Sequence, residues 1–205
     1  MQLPINIDSV KGFLSAEEGR ALYERCLETC AIGPALEIGS YCGKSTVYLG
    51  QACKEAMSTL FALDHHRGSE EHQLGEEYHD PELYDAGVGK MDTFKLFRDT
   101  VSRAKLDDHV VPLVAGSAVV ARNWQTPLGM VFIDGGHSLE AAQTDYACWA
   151  MHVAPGGILA IHDLFPDPST GGQAPITIWR GALASGLFED VGVVGTLGVL
   201  RRRDS

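Results

Sequence analysis

Four side chains able to do acid–base or metal chemistry stand at the ends of two apolar runs. Asp134 closes Met130-Val131-Phe132-Ile133, His137 follows three residues later, and His162 and Asp163 close Ile158-Leu159-Ala160-Ile161. Apolar runs of this length read as strands, and open α/β sheets bind ligands beyond the carboxyl ends of their strands. Two carboxylates and an imidazole at neighbouring strand ends are a donor set for a divalent cation. The competing reading has Asp163 capping a turn and His162 packing locally. His137 reads as a general base, because an imidazole titrates near working pH and a loop position lets it reach an acceptor. Its alternative is a hydrogen bond to the loop backbone.

A second group of polar residues precedes these. Residues 34–45 read P-A-L-E-I-G-S-Y-C-G-K-S, an apolar strand running into a glycine-bracketed turn, with the look of a helix start at Ser45. Gly43-Lys44-Ser45 matches the end of a phosphate loop, but only Ser40, Tyr41 and Cys42 separate the two glycines, one residue too few for G-x-x-x-x-G-K-[ST]. The dinucleotide pattern G-x-G-x-x-G fails as well. Glu37 lies two residues before Gly39, and Asp64 ends the next apolar run, Leu60-Phe61-Ala62-Leu63. Two carboxylates facing one crevice repel a triphosphate and suit a ligand with ribose hydroxyls and positive centres, such as S-adenosylmethionine (SAM).

On these residues the chain resembles the class I SAM-dependent methyltransferases. E-I-G-S-Y-C-G-K-S-T is similar to their first motif, E-x-G-x-x-x-G, and F-I-D-G-G-H followed by P-G-G and I-H-D resembles the small metal-dependent O-methyltransferases. The likeness is strong over residues 31–163 and weak on the flanks. It implies a Rossmann-like α/β fold, a doubly wound, mainly parallel seven-stranded sheet ending in an antiparallel hairpin. It implies SAM bound by Glu37, Gly39, Tyr41, Gly43, Ser45, Asp64, His65, Gly116, Ser117 and Asp134, with the small residues after the third strand lining the adenine. It also implies a metal held by Asp134, His162 and Asp163, where relatives bind magnesium. A histidine replaces the usual acid or amide, so manganese, zinc or iron enter as alternatives.

Because SAM carries an activated methyl group, the enzyme chiefly aligns an acceptor and makes its oxygen nucleophilic. Relatives with the D-G-G-H and H-D phrases resemble sugar methyltransferases, so a saccharide hydroxyl is the first expectation for the acceptor. A phenol is second, with Trp124, Trp149 and Trp179 as ring partners unless they are core. A homodimer follows from the resemblance alone. A P-loop nucleotide hydrolase and a SAM-binding protein without activity remain as readings of other classes.

The elements that position these residues fit one domain over residues 1–205. With 45% hydrophobic content in 205 residues the chain can bury a core without staples. Ser15 as cap and Glu18 three residues on predict a helix over residues 15–30, within an N-terminal cover of residues 1–31. Further helices are expected over residues 92–105 and 138–151, a strand over 109–115, a turn and strand over 155–163, and the hairpin over 187–203. A net charge of -11 argues against nucleic acid, and Arg201 to Arg203 read as a solvated chain end. Neither a membrane span nor a signal peptide is visible, which predicts a cytoplasmic protein. The five cysteines read as buried thiols, with Cys26 and Cys30 one helical turn apart and Cys42 a small residue in the ligand loop.

Residues 65–91 form an insertion. His65, His66, His72 and His79 stand there among Glu70, Glu71, Glu76, Glu77, Asp80, Glu82 and Asp85. Their spacings match no established ligand pattern, so an acidic lid or dimer arm is expected ahead of a metal cluster. Loops this long usually cover a site, and this one is expected to close over the acceptor.

Overall fold

In the computed structural model, which describes residues 1–68 and 80–204, the apolar runs become strands of one sheet. In chain order they are β1 (Ala35–Ile38), β2 (Leu60–Leu63), β5 (Val110–Leu113), β6 (Leu128–Ile133), β7 (Val153–Ile161), β8 (Phe188–Val194) and β9 (Leu197–Arg202). β3 (Tyr84–Asp85) and β4 (Lys90–Met91) pair separately as a short antiparallel ribbon. The sheet order is β5-β2-β1-β6-β7-β9-β8, parallel through β7, with β9 antiparallel to both β7 and β8. The mainly parallel seven-stranded sheet with its C-terminal hairpin is thus present.

β1 and β6 are buried at every position, as strands covered on both faces must be. Alternation along β6 sends Met130 and Phe132 into one core layer and Val131 and Ile133 into the other. The first layer packs Leu22 of α1 (Ala16–Thr29), Tyr48 of α2 (Lys44–Glu55) and Phe97 of α3 (Phe94–Arg103). Against the opposite face lie Trp149 of α5 (Leu139–Trp149) and Ile178 of α6 (Ala174–Ala184). The short α4 (Ser117–Ala121) follows β5.

Local chemistry explains most boundaries. α1 starts at a capping box: the Ser15 hydroxyl accepts the Glu18 N–H and the Glu18 carboxylate accepts the Ser15 N–H. Ser138 caps α5 in the same manner on one side. Two expectations need correction. Pro155-Gly156-Gly157 does not form a turn before a strand but lies within β7, where the register jumps from Leu128–Val153 to Met130–Ile158. Arg201 and Arg202 are not a solvated end, since they belong to β9; Arg201 bonds the Gly156 carbonyl and Glu28, and Arg202 covers the Phe188 ring. α4, α6 and the β3–β4 ribbon had no counterpart in the sequence reading. α6 is apolar on most of its surface, so no amphipathic stripe marks it.

The strand order reverses between β1 and β6, and there the two chains nearly touch. Gly39 has φ +87°, and a Cβ on it would stand 2.0 Å from the Asp134 carbonyl oxygen. Its glycine is required by backbone packing at the crevice, in addition to any ligand. Replacing Gly39 with alanine should therefore destabilise the fold by roughly 2–5 kcal/mol, seen as a lower urea midpoint with an unchanged slope.

Candidate active site

A cavity of about 890 Å³ opens over the carboxyl ends of β1, β2, β6 and β7. Its size is in the upper range of small-molecule sites. Of the residues expected around a cofactor or acceptor, Gly39, Tyr41, Ser45, Asp64, His65, Gly116, Ser117, Asp134, His137, His162 and Asp163 line it. Glu37 and Gly43 do not.

Glu37 is fully buried, so it does not face the crevice. Its two oxygens accept hydrogen bonds from the Ser45 hydroxyl at 2.5 Å and the Thr46 hydroxyl at 2.6 Å. Burial pushes its carboxyl up to about 7 against the pull of those two hydroxyls. The residue ties the end of β1 to the first turn of α2 and so sets the path of the loop between them. Gly43 begins α2 with φ +91° and packs against Thr100 and Phe97 of α3. Cys42 is buried with Leu83 and Met91. Lys44 donates to the Gly12 carbonyl at 3.1 Å, fastening the N-terminal segment over the cavity instead of reaching a phosphate.

Asp64 stands at the cavity edge with a carboxylate oriented by backbone. The Tyr41 N–H donates to one oxygen at 2.8 Å and the His66 N–H to the other at 2.7 Å. Tyr41 reaches this position through φ +46°. His65 accepts the Arg67 N–H and lines the cavity, whereas His66 is buried on Phe94 and Phe97 with its Nδ1 2.7 Å from the Thr93 hydroxyl. Beside them, Ser117 donates to Asp145 at 2.5 Å. Burial raises the Asp145 carboxyl despite that bond. Gly135 makes room for Asp145, because a Cβ there would lie 2.4 Å from its oxygen. Asp145 escaped the sequence reading, since a single acid in α5 carries no distinguishing signal.

Asp134, His162 and Asp163 do come together. His162 Nδ1 lies 3.1 Å from Asp134 and 3.4 Å from Asp163, and its Nε2 lies 3.4 Å from Glu18 and from the Thr196 hydroxyl. The ring is 5% exposed. Burial disfavours its charge, but the hydrogen bond to Asp134 and the surrounding carboxylates outweigh burial and raise it to about 9. Burial likewise opposes ionisation of Glu18, yet the Thr196 and Ser15 backbone N–H groups hold it down to about 2. His137 Nε2 is 2.9 Å from the second oxygen of Asp163. Burial works against that carboxylate too, and the hydrogen bond from His137 and the charge of His162 keep it below its usual range. Glu18 was read only as a capping residue; its reach to His162 follows from tertiary packing alone.

The donor set fits a divalent cation. One oxygen each of Asp134 and Asp163 and one nitrogen of His162 lie within 4.8 Å of one another. A ligating histidine generally presents its other ring nitrogen to a carboxylate, the position Glu18 holds. One imidazole with two carboxylates suits manganese, iron or zinc better than magnesium.

Other expectations resolve differently. Trp124 and Trp149 stack edge to face in the core with Phe61, and neither they nor Trp179 line the cavity. Phe13, Tyr41 and Phe165 do. His72, His79 and the acids from Glu70 to Glu77 lie outside the described residues. From the rest of the insertion, Asp80 and Glu82 pair with Lys11 at 2.5 and 2.6 Å, and Leu83 and Met91 pack on the loop at Cys42. Among the described residues no helix is long and apolar enough to cross a membrane.

The sequence profile of a family described as a methyltransferase domain matches residues 36–164. Many solved structures share the fold, three of which follow. The O-methyltransferase NovP superposes with a TM-score of 0.68 at 14% identity, covering 92% of this chain and 80% of that one. TomG, the Streptomyces achromogenes O-methyltransferase of tomaymycin synthesis in complex with SAM, gives 0.64 at 15% identity, covering 94% and 82%. A Bacillus cereus O-methyltransferase in complex with SAH gives 0.61 at 16%, covering 93% and 83%.

The buried Glu37 makes stability depend on pH with a defined sign. Its folded-state value of about 7 exceeds the ordinary 4.5, so the folded protein retains a proton that the unfolded chain has lost. The contribution is full below about 4.5 and disappears as pH rises through about 7. Urea unfolding should show wild type losing on the order of 2–3 kcal/mol relative to Glu37→Gln across that window; parallel pH profiles for the two proteins would contradict it.

Proposed function

The chain belongs to this methyltransferase family, and on that footing we propose that it transfers the methyl group of SAM to a hydroxyl of a small molecule, in the first place a saccharide. The observation that carries the reading is the cavity itself, which has Asp64 and Ser117 in one part of its lining and Asp134, His137, His162 and Asp163 in another. The SAM and SAH complexes of TomG and the Bacillus cereus protein support the cofactor.

Bound SAM supplies an activated methyl group. Asp64, held by two backbone N–H groups, keeps one lone pair on each oxygen for ribose hydroxyls. Gly116 leaves open space around its Cα, where a flat adenine fits beside Ser117. Gly39 and Tyr41 carry the loop past the cofactor, while Glu37, Ser45 and Gly43 act one step removed by fixing that loop. His65, in the cavity lining beside Asp64, is proposed to touch the adenosine.

For the acceptor, His137 takes the hydroxyl proton as the oxygen attacks. Asp163 orients the ring and stabilises the imidazolium that forms. Asp134, His162 and Asp163 would hold a divalent cation, which when bound lowers the pKa of the acceptor hydroxyl. Ser138, Glu140, Thr144 and Thr170 line the cavity and offer the hydrogen bonds a polyol needs, while Phe13, Tyr41 and Phe165, in place of the three tryptophans, are the rings that a phenol, the second reading, would meet. The insertion, joined to Lys11 and the loop at Cys42, serves as cover for the acceptor. The resemblance adds a cytoplasmic homodimer of single-domain chains, for which light scattering should give twice 22.1 kDa.

Two measurements test this reading. Calorimetric titration should show SAM binding and no ATP binding, the reverse being expected of a nucleotide hydrolase. His137→Ala should lower methyl transfer to an acceptor from a saccharide and phenol panel by roughly 10²–10⁴-fold while leaving SAM affinity within about threefold. Undiminished turnover in the variant would remove His137 as the base.

A further inference from the structure

Away from the cavity, at the opposite end of the strands, three thiols converge. Cys26 lies in α1, Cys30 caps its C-terminus, and Cys53 comes from the last turns of the facing α2. The sequence shows Cys26 and Cys30 one turn apart; the packing of α1 on α2 adds the third sulfur. Cys26 and Cys53 are 3.7 Å apart between sulfurs, and all three lie within 4.8 Å of one another. Cys26 and Cys53 are fully buried and Cys30 is half-buried, so the trio has one accessible side.

The spacing selects among thiol chemistries. A disulfide requires sulfurs about 2.05 Å apart, far closer than these. Thiolates sharing one ion at about 2.3 Å stand roughly 3.7–4.0 Å from each other.

We propose that Cys26, Cys30 and Cys53 form a binding site for a thiophilic d10 ion, Zn(II) or Cd(II), separate from the acid–histidine cluster. Binding of the divalent ion to the three free thiols as thiolates releases three protons. The ion joins α1, which carries Glu18, to α2, which carries Ser45 and Thr46, so it stiffens both supports of the cavity.

Protein stripped with chelator under reductant and titrated with Cd(II) should develop a thiolate-to-metal charge-transfer band that saturates at one equivalent. Zn(II) should bleach it, and Asp163→Asn should retain it. Cys30→Ser, at the half-buried position, should lose at least nine-tenths of the band while keeping the wild-type far-ultraviolet dichroism. In unaltered protein, one equivalent of Zn(II) should slow iodoacetamide labelling of Cys30 at least tenfold and leave Cys148 unaffected. No band in wild type, a full band in Cys30→Ser, or unslowed labelling would each overturn the site.

Discussion

Three carboxylates from three separate elements converge on the buried ring of His162. Glu18 arrives from α1, Asp134 from the end of β6 and Asp163 from the residue after His162, and Thr196 of the β8–β9 turn completes the ring of partners. Carboxylates this close in a poorly solvated place repel one another unless a positive charge stands among them. Imidazolium and metal ion are the two charges that fit there. Either way the N-terminal helix, the central strands and the C-terminal hairpin are held through one side chain. On the cavity side, the charge of His162 and the hydrogen bond from His137 hold the Asp163 carboxyl below its usual range.

The loop after β1 shows a related economy. A lysine, a serine and two glycines at nearly phosphate-loop spacing serve another purpose because Glu37 is inside the fold. Its carboxyl takes the Ser45 and Thr46 hydroxyls, which pulls the first turn of α2 onto the strand and turns the loop toward Asp64. Lys44 reaches the Gly12 carbonyl and draws residues 11–14 over the cavity. Lys11 in turn pairs with Asp80 and Glu82. Cofactor loop, N-terminal segment and insertion are thus connected by polar contacts whose ends lie far apart in the chain.

Much of this was legible beforehand, for identifiable reasons. Strand ends were visible because short apolar runs such as 60–63 and 158–161 stop at acids or histidine. The α1 start was visible because Ser15 and Glu18 satisfy each other's backbone within four residues. Asp134, His137, His162 and Asp163 were recognisable as a group because they terminate adjacent runs, and the structure does place them on one cavity. What failed was direction. An acid two residues before a glycine reads the same whether it faces ligand or core, and Glu37 turned inward where Asp64 turned outward. α6 lacked a polar face to announce it, and β7 absorbed a Pro-Gly-Gly that reads locally as a turn.

By itself, the sequence determined the order of elements apart from α4, α6 and the β3–β4 ribbon, the parallel sheet and the chemical types gathered at its carboxyl edge, because periodicity, capping and strand-end residues are local properties. Only the tertiary structure decided which of those groups share a space. Glu18 meets His162, Asp145 meets Ser117, and Cys53 meets Cys26 and Cys30 across helix and sheet packing, at separations where spacing in the chain carries no information. Distances between side chains on different elements depend on how the layers seat against each other, and that is a property of the packed core as a whole.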